Sequence, residues 1–159
     1  MLSLRDENGK ARAMLHTDKD GPRLSLSDQN GKVRATLHTD EDAAGLRLYD
    51  ENGKARAMLQ TDKDGPGLML VDENGKVRAM LTALKDAAGL GFIDANGKNR
   101  AAFGLTEEGP ALELSDENGK SSAVVGAGVT ETPDGRTITY PESSIRLFGK
   151  DGKWIWGAP

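Results

Sequence analysis

Six Asn-Gly pairs, Asn8-Gly9, Asn30-Gly31, Asn52-Gly53, Asn74-Gly75, Asn96-Gly97 and Asn118-Gly119, follow one another at intervals of 22 residues. Asp151-Gly152 is a seventh, altered copy. Each pair lies inside a phrase of the kind Asp50-Glu51-Asn52-Gly53-Lys54. A fixed period of this size means one small structural unit copied along the chain, and it settles the fold class before any single residue does. Asn-Gly between alternating apolar and polar residues is a strong short-range hairpin signal.

The third copy shows the pattern. Leu46-Arg47-Leu48-Tyr49-Asp50 alternates before the turn, and Ala55-Arg56-Ala57-Met58-Leu59-Gln60 alternates after it. Period two is the signature of a strand. A two-residue type I′ loop at Asn52-Gly53 would pair Glu51 with Lys54, Asp50 with Ala55, Leu48 with Ala57 and Leu46 with Leu59. Leu46, Leu48, Ala55, Ala57 and Leu59 then share one face. A three-residue loop with a bulge at Gly53 would instead set Leu48 against Arg56. A one-residue slip moves the whole apolar set to the wrong face, so the pattern selects the two-residue loop.

The second connection of each repeat is also regular. Leu15 and Leu24, Leu37 and Leu46, Leu59 and Leu68, Leu81 and Leu90, and Phe103 and Leu112 bracket stretches such as Asp18-Lys19-Asp20-Gly21-Pro22, all turn chemistry. Pairing Thr17 with Pro22 leaves a four-residue loop, Asp18 to Gly21. Both connections return the chain antiparallel with the same face inward. The expected fold is all-β: an up-and-down antiparallel meander of about seven hairpin repeats, some fourteen strands, with one apolar face.

The regularity weakens in copy five, where Phe92 and Phe103 replace leucines and Asn99 stands where Ala or Val is placed on the inner face. It breaks after Val125. Residues 1–125 read as the hairpin array, and residues 126–159 as an insert followed by a Trp-bearing capping hairpin. In the insert, Thr132-Pro133-Asp134-Gly135-Arg136 reads as a turn and Thr137-Ile138-Thr139-Tyr140 as a strand. Terminal repeats of an array differ because they must close it.

Composition narrows the function. The net charge is −4 and no basic stripe stands unopposed, which argues against nucleic acid as a partner. There is no cysteine, hence no disulfide framework and no thiol chemistry. No apolar run approaches the ~20 residues of a membrane-spanning helix. Met1 to Asp6 is already repeat sequence. The compartment stays open, extracellular or cell-surface if an export segment has been removed.

A meander of fourteen strands at ~4.8 Å spacing, each ~17–20 Å long, carries an apolar face of roughly 1,100–1,300 Å². Monomers rarely expose more than a few hundred Å² of contiguous apolar surface. A fourteen-stranded closed barrel would have a lumen too wide for Leu and Ala to fill. Self-association is the expected answer: most simply three chains forming a triangular β-prism, with a face-to-face dimer or a monomeric β-solenoid as alternatives.

Candidate chemistry is sparse. Asp18, Asp20, Asp40, Asp42, Asp62 and Asp64 resemble half of a calcium loop, but no EF-hand Glu follows, and turn formation explains them as well. Asp6, Asp28, Asp50, Asp72, Asp94 and Asp116 are placed to accept turn N–H bonds. His16 and His38 occupy equivalent outward positions and lack the buried, oriented trio that Ser-His-Asp catalysis needs. Arg12, Arg34, Arg56, Arg78 and Arg100 form an outward ladder among carboxylates, a solvated face or a stripe for an anionic polymer. Trp154 and Trp156, with Tyr140, are either the cap or a platform for a polysaccharide or protein partner. No catalytic residue and no cofactor are indicated.

The phrase from Asp72 to Leu81, Asp-Glu-Asn-Gly-Lys-Val-Arg-Ala-Met-Leu, resembles tandem repeats of uncharacterised bacterial proteins, and the ending Gly152 to Pro159 is similar to theirs. The likeness covers nearly the whole chain and implies no activity. The geometry is similar in kind to trimeric fibre shafts. The expected function is that of a non-catalytic shaft or spacer, against a carbohydrate- or partner-binding module using the Trp-bearing end.

Overall fold

The computed structural model describes residues 1–107, 109–131, 137–140 and 144–158, and among them every regular element is a strand. The chain forms two compact units, Met1–Val77 and Arg78–Pro159. The first holds β1 (Leu2–Arg5), β2 (Ala11–Asp18), β3 (Gly21–Ser27), β4 (Val33–Thr39), β5 (Ala44–Tyr49), β6 (Ala55–Asp62) and β7 (Gly65–Val71), each hydrogen-bonded to the next in chain order. The second holds β8 (Val77–Ala83), β9 (Ala88–Ile93), β10 (Asn99–Thr106), β11 (Gly109–Ser115) and β12 (Ser121–Gly126). It continues with β13 (Gly128–Glu131), β14 (Thr137–Tyr140), β15 (Ile145–Phe148) and β16 (Trp154–Ala158). Here the sheet order is β8 to β12 and then β15-β16. β13 and β14 pair with each other as a separate hairpin, the insert that breaks the period. The expected turn at Thr132–Arg136 lies outside the described residues.

The Asn-Gly turn differs from the expected two-residue loop. Asp50 N–H donates to the Lys54 carbonyl at 2.9 Å and Gly53 N–H donates to the Asp50 carbonyl at 3.1 Å. Asp50 therefore faces Lys54 across a three-residue loop, with Gly53 at φ 79°. The same pair of bonds recurs at Asp6, Asp28, Asp72, Asp94 and Asp116, and at Gly149 in the last turn. The last turn, headed by Gly149, closes the same way, and in the other six the loop is braced by the aspartate. The Asp50 Oδ1 accepts the Asn52 N–H at 2.9 Å and the Lys54 N–H at 3.0 Å. Asp at the first position and Gly at the fourth suit a type I turn, and that preference prevails over the type I′ preference of Asn-Gly.

Left alone, this loop would set Leu48 against Arg56. The register instead runs Tyr49↔Ala55 and then Leu48↔Ala57, leaving Arg56 as the extra residue of a β-bulge. The same shift appears at Arg12, Arg34, Arg100, Ser122 and Ile155. One bulge cancels the slip that the loop introduces, so the leucine pairing expected from alternation is restored. Ala55 leaves the leucine side and joins Tyr49. Asn99 likewise pairs with Ile93 and stands on the polar side, so no polar residue interrupts the leucine side there.

Two cross-strand rows result. In the first unit Leu2, Leu15, Leu24, Leu37, Leu46, Leu59 and Leu68 face one another in succession. Beside them run Leu4, Ala13, Leu26, Ala35, Leu48, Ala57 and Leu70. In the second unit the rows are Leu81, Leu90, Phe103, Leu112, Val125, Ile145 and Ala158, and Ala79, Phe92, Ala101, Leu114, Ala123, Leu147 and Trp156.

The other connection is tighter than the expected four-residue loop where Gly is available. Asp18 pairs with Gly21 and Asp62 with Gly65, leaving two residues between them. Where Ala43 replaces that Gly, the ladder stops at Thr39↔Ala44 and a single main-chain bond, Asp40 N–H to the Ala43 carbonyl at 2.9 Å, closes the loop. At the base of the insert, Gly126 N–H donates to the Ser144 carbonyl at 2.8 Å, and the buried Arg146 guanidinium donates to the Gly126 carbonyl at 2.8 Å.

These contacts separate two kinds of glycine. A Cβ on Gly53 would meet nothing within 4 Å, so Gly53→Ala should cost only the left-handed backbone, about 1 kcal/mol. A Cβ on Gly126, at φ 110°, would collide with the Pro110 carbonyl oxygen. Gly126→Ala should therefore be the more damaging change by a clear margin. Urea unfolding of the two variants checks the order, which would be reversed if the insert were loosely attached.

Candidate functional site

Two surfaces stand out, the edge where the Asn-Gly turns line up and the leucine side of the sheets. The turn edge is held together from within. Besides their two N–H bonds, four turn aspartates receive the arginine of their own bulge: Arg12 to Asp6 at 2.8 Å, Arg34 to Asp28 at 3.5 Å, Arg56 to Asp50 at 3.9 Å and Arg100 to Asp94 at 3.4 Å. The same guanidinium reaches the following hairpin. Arg34 Nε donates to the Tyr49 carbonyl at 3.0 Å, Arg78 Nε to that of Ile93 at 2.7 Å and Arg100 Nε to that of Ser115 at 3.0 Å. Turn lysines bridge in the same direction: Lys10 Nζ to the Gln29 carbonyl at 3.3 Å, Lys32 to Glu51 at 2.7 Å and Lys54 to Glu73 at 2.8 Å. Successive turns lie two strand spacings apart, ~9.6 Å, within reach of a long side chain.

This accounts for the arginine ladder. Its charges meet aspartates and its Nε atoms meet main-chain carbonyls, so it works as a clamp between hairpins. The bulge is what places each arginine there, and alternation alone gives no sign of it.

The carboxyls of Asp6, Asp50, Asp94 and Asp116 are held below the usual carboxylate value, chiefly by the N–H of the lysine closing the turn; desolvation is the next influence and pulls upward, and the asparagine N–H helps to outweigh it. For Asp28 desolvation is the largest single influence and pulls upward, but the Lys32 and Asn30 N–H bonds and Arg34 together outweigh it. Asp151 is lowered chiefly by Lys153.

The leucine side has no such cover. Leu15 is 48% exposed, Leu37 51% and Leu59 51%. The polar side is the better covered of the two. Thr36 there is buried at 8%, bonded through Oγ1 to the Tyr49 hydroxyl at 3.2 Å, and a Cβ on Gly45 would meet the His38 ring at 3.0 Å. The His38 ring thus lies over Gly45 on that face, whereas the leucines on theirs stay exposed.

The aspartates resembling a calcium loop serve their own turns. Asp18 Oδ1 accepts the Asp20 N–H, Asp40 Oδ1 those of Asp42 and Ala43, and Asp62 Oδ1 those of Asp64 and Gly65. Among the described residues no three His, Asp or Glu side chains gather as a metal site. His16 and His38 lie on the polar side with Arg23 between them, and His16 Nε2 is 3.7 Å from Asp18 Oδ2. Trp154 and Trp156 are exposed, 57% and 51%. The bulge at Ile155 sends them to opposite sides: Trp156 pairs with Leu147 in the leucine row, and the Trp154 ring lies against Gly157 on the polar side. Tyr140 pairs with Gly128 in the insert hairpin, and its side chain is outside the described residues. No described helix is long and apolar enough to cross a membrane.

No family model and no curated protein matches the chain. Among solved structures, a point mutant of S. aureus TarM in complex with fondaparinux, α-GlcNAc-glycerol and UDP aligns with 72% of this chain at 12% identity and a TM-score of 0.28. The chain spans 19% of the length of that protein, and at this score the likeness carries no statement about fold or activity here.

The lowered carboxyls set the direction of the acid response. A carboxyl with a depressed folded-state value adds stability above its unfolded value and loses that contribution as pH falls through the folded one. The melting temperature should be nearly level above about pH 5 and should fall once pH drops below about 4. Asp50→Asn removes one contributor and should flatten the fall slightly. A melting temperature that keeps rising into acid would contradict the turn assignment.

Proposed function

We propose that this chain is a non-catalytic structural or interaction repeat protein whose leucine side is covered by further copies of itself, three chains closing into a triangular β-prism that acts as a shaft or spacer. The bare double row of leucines carries this reading. Seven strands at ~4.8 Å make each unit's leucine side ~34 Å long, and with strands of ~17–20 Å each presents roughly 600 Å². Two such units per chain supply the ~800 Å² per partner of a stable interface.

The strand length favours three chains. An equilateral prism with sides of ~20 Å places each sheet roughly 6 Å from its axis, close to half the ~10 Å that separates packed sheets. Leucines from three sides then meet at the centre. The flanking row on the same side, Thr17↔Pro22, Thr39↔Ala44 and Thr61↔Pro66, is more polar, as the corners of such a prism require. Trp156, at the end of its row, belongs to the covered side in this reading. A shaft also explains near-identical repeats, since each added hairpin lengthens the same cross-section.

Sedimentation equilibrium should give three times the chain mass. Leu37→Glu, in the middle of the leucine row, should abolish the trimer, and Trp156→Ala should weaken it. Deleting residues 45–66 should leave a folded trimer shortened by ~9.6 Å, two strand spacings. A clean monomer would refute the reading, and a dimer would replace the prism with a face-to-face sandwich.

A further inference from the structure

The repeats act as controls for one another. A position that differs from its 22-residue equivalents is not needed for the hairpin, so departures that converge in space call for another explanation. On the polar side of the first unit three of them converge. Arg23 stands where the other copies have Gly45, Gly67, Gly89 and Ala111. Thr36 stands where they have Met14, Met58, Met80, Ala102 and Val124. Tyr49 stands where they have Arg5, Ser27, Val71, Ile93 and Ser115, with Phe148 in the last, altered copy. The three come from β3, β4 and β5, are separated by 13 residues each time, and line a single open hollow of about 490 Å³. That volume is within the range of small-molecule sites.

The chemistry of the lining is one-sided. Arg23, half-buried, makes no ion pair among the described residues, unlike the ladder arginines on the same side. Lys32 and Asn52 reach the hollow from two neighbouring turns, and Ser25 adds a hydroxyl. No carboxylate lines it, although the chain as a whole is acidic. The Thr36–Tyr49 hydrogen bond fixes the floor, where a methionine in place of Thr36 would leave the Tyr49 hydroxyl without that partner. A half-buried guanidinium without a counter-charge is a donor fork shaped for a carboxylate or phosphate.

We infer that this hollow binds a small hydroxylated organic anion, its acid group on Arg23 and its hydroxyls on Ser25, Asn52 and Tyr49. The inference does not depend on the oligomeric state. It concerns the side of the sheet opposite the leucines, and it rests on residues that the repeat architecture leaves free to vary.

The consensus residues supply the test, because the other copies already show that the hairpin accepts them. Amide chemical shifts of the full chain would be followed on adding galacturonate, galactose 6-phosphate and neutral galactose. Saturable shifts around Arg23, Thr36 and Tyr49 are expected with an acidic sugar and not with galactose. A response to galacturonate alone would assign the acid group as a carboxylate, and a response to the phosphate alone would assign it as a phosphate; either supports the site. Arg23→Gly should keep the melting temperature close to that of the parent and weaken binding by roughly tenfold or more. Tyr49→Val should weaken it too, and Arg23→Lys should retain part of it. Absence of saturable shifts with both acids, equal binding of galactose, or full binding by Arg23→Gly would overturn the inference.

Discussion

The turn aspartate, present at the head of six of the seven turns, braces the loop on which the register of these strands depends. Its carboxylate is satisfied by the N–H groups two and four residues on, as at Asp50 with Asn52 and Lys54, and those bonds hold the loop at three residues. Three residues is the wrong length for a sheet whose leucines must all face one way. The chain resolves the conflict locally by leaving Arg56 and its equivalents unpaired in a bulge, which returns Leu48 to Ala57. The extra residue is then placed to clamp its own turn and the next. A single adjustment restores the register, supplies the counter-charge to the aspartate and ties consecutive hairpins together.

The two sides of the sheet obey different rules. On the leucine side the residue at a given repeat position hardly changes through the first unit, because each leucine is cross-strand neighbour to the next and a break anywhere interrupts the row. On the polar side the same positions hold Ser3, Ser25, Arg47, Met69, Gly91 and Glu113 in turn. Strand geometry tolerates all of these. Uniformity therefore marks the side whose contacts must be the same along the whole array, and variety marks the side where each repeat can carry its own chemistry.

Most of the strand pattern could be read directly, since period-two alternation leaves little choice about which residues pair. Leu46 with Leu59 and Leu48 with Ala57 stand as alternation places them. The turn departs from expectation because Asn-Gly points to a two-residue loop, whereas the main-chain bonds that form close three residues. The difference propagates to Ala55 and Asn99, both within a residue of a bulge, where counting by twos assigns the other side. The cover on the polar side was also hidden, because alternation says which way a side chain points and nothing of whether it then lies flat, as His38 does over Gly45. The hollow is not legible in the sequence for a simpler reason. Arg23, Thr36 and Tyr49 are far apart in sequence, and their common departure from the period becomes meaningful only when the register brings them together.

Assembly and binding, as proposed, occupy opposite sides and therefore do not compete. A prism that buries three leucine sides turns three polar sides outward, each with its own hollow. A single open hollow of this size with one unpaired guanidinium would hold a monomeric anion weakly. Three such hollows on one rigid particle change the outcome for a polymer that repeats its acid group, because after the first contact the others form at the effective concentration set by the particle, and avidity can exceed the single-site affinity by roughly 10²–10⁴. The rigidity that makes a good spacer is the same property that keeps three weak sites in fixed relation. Binding strength toward such a polymer would then depend on the leucines, which touch no ligand, as much as on Arg23, which does.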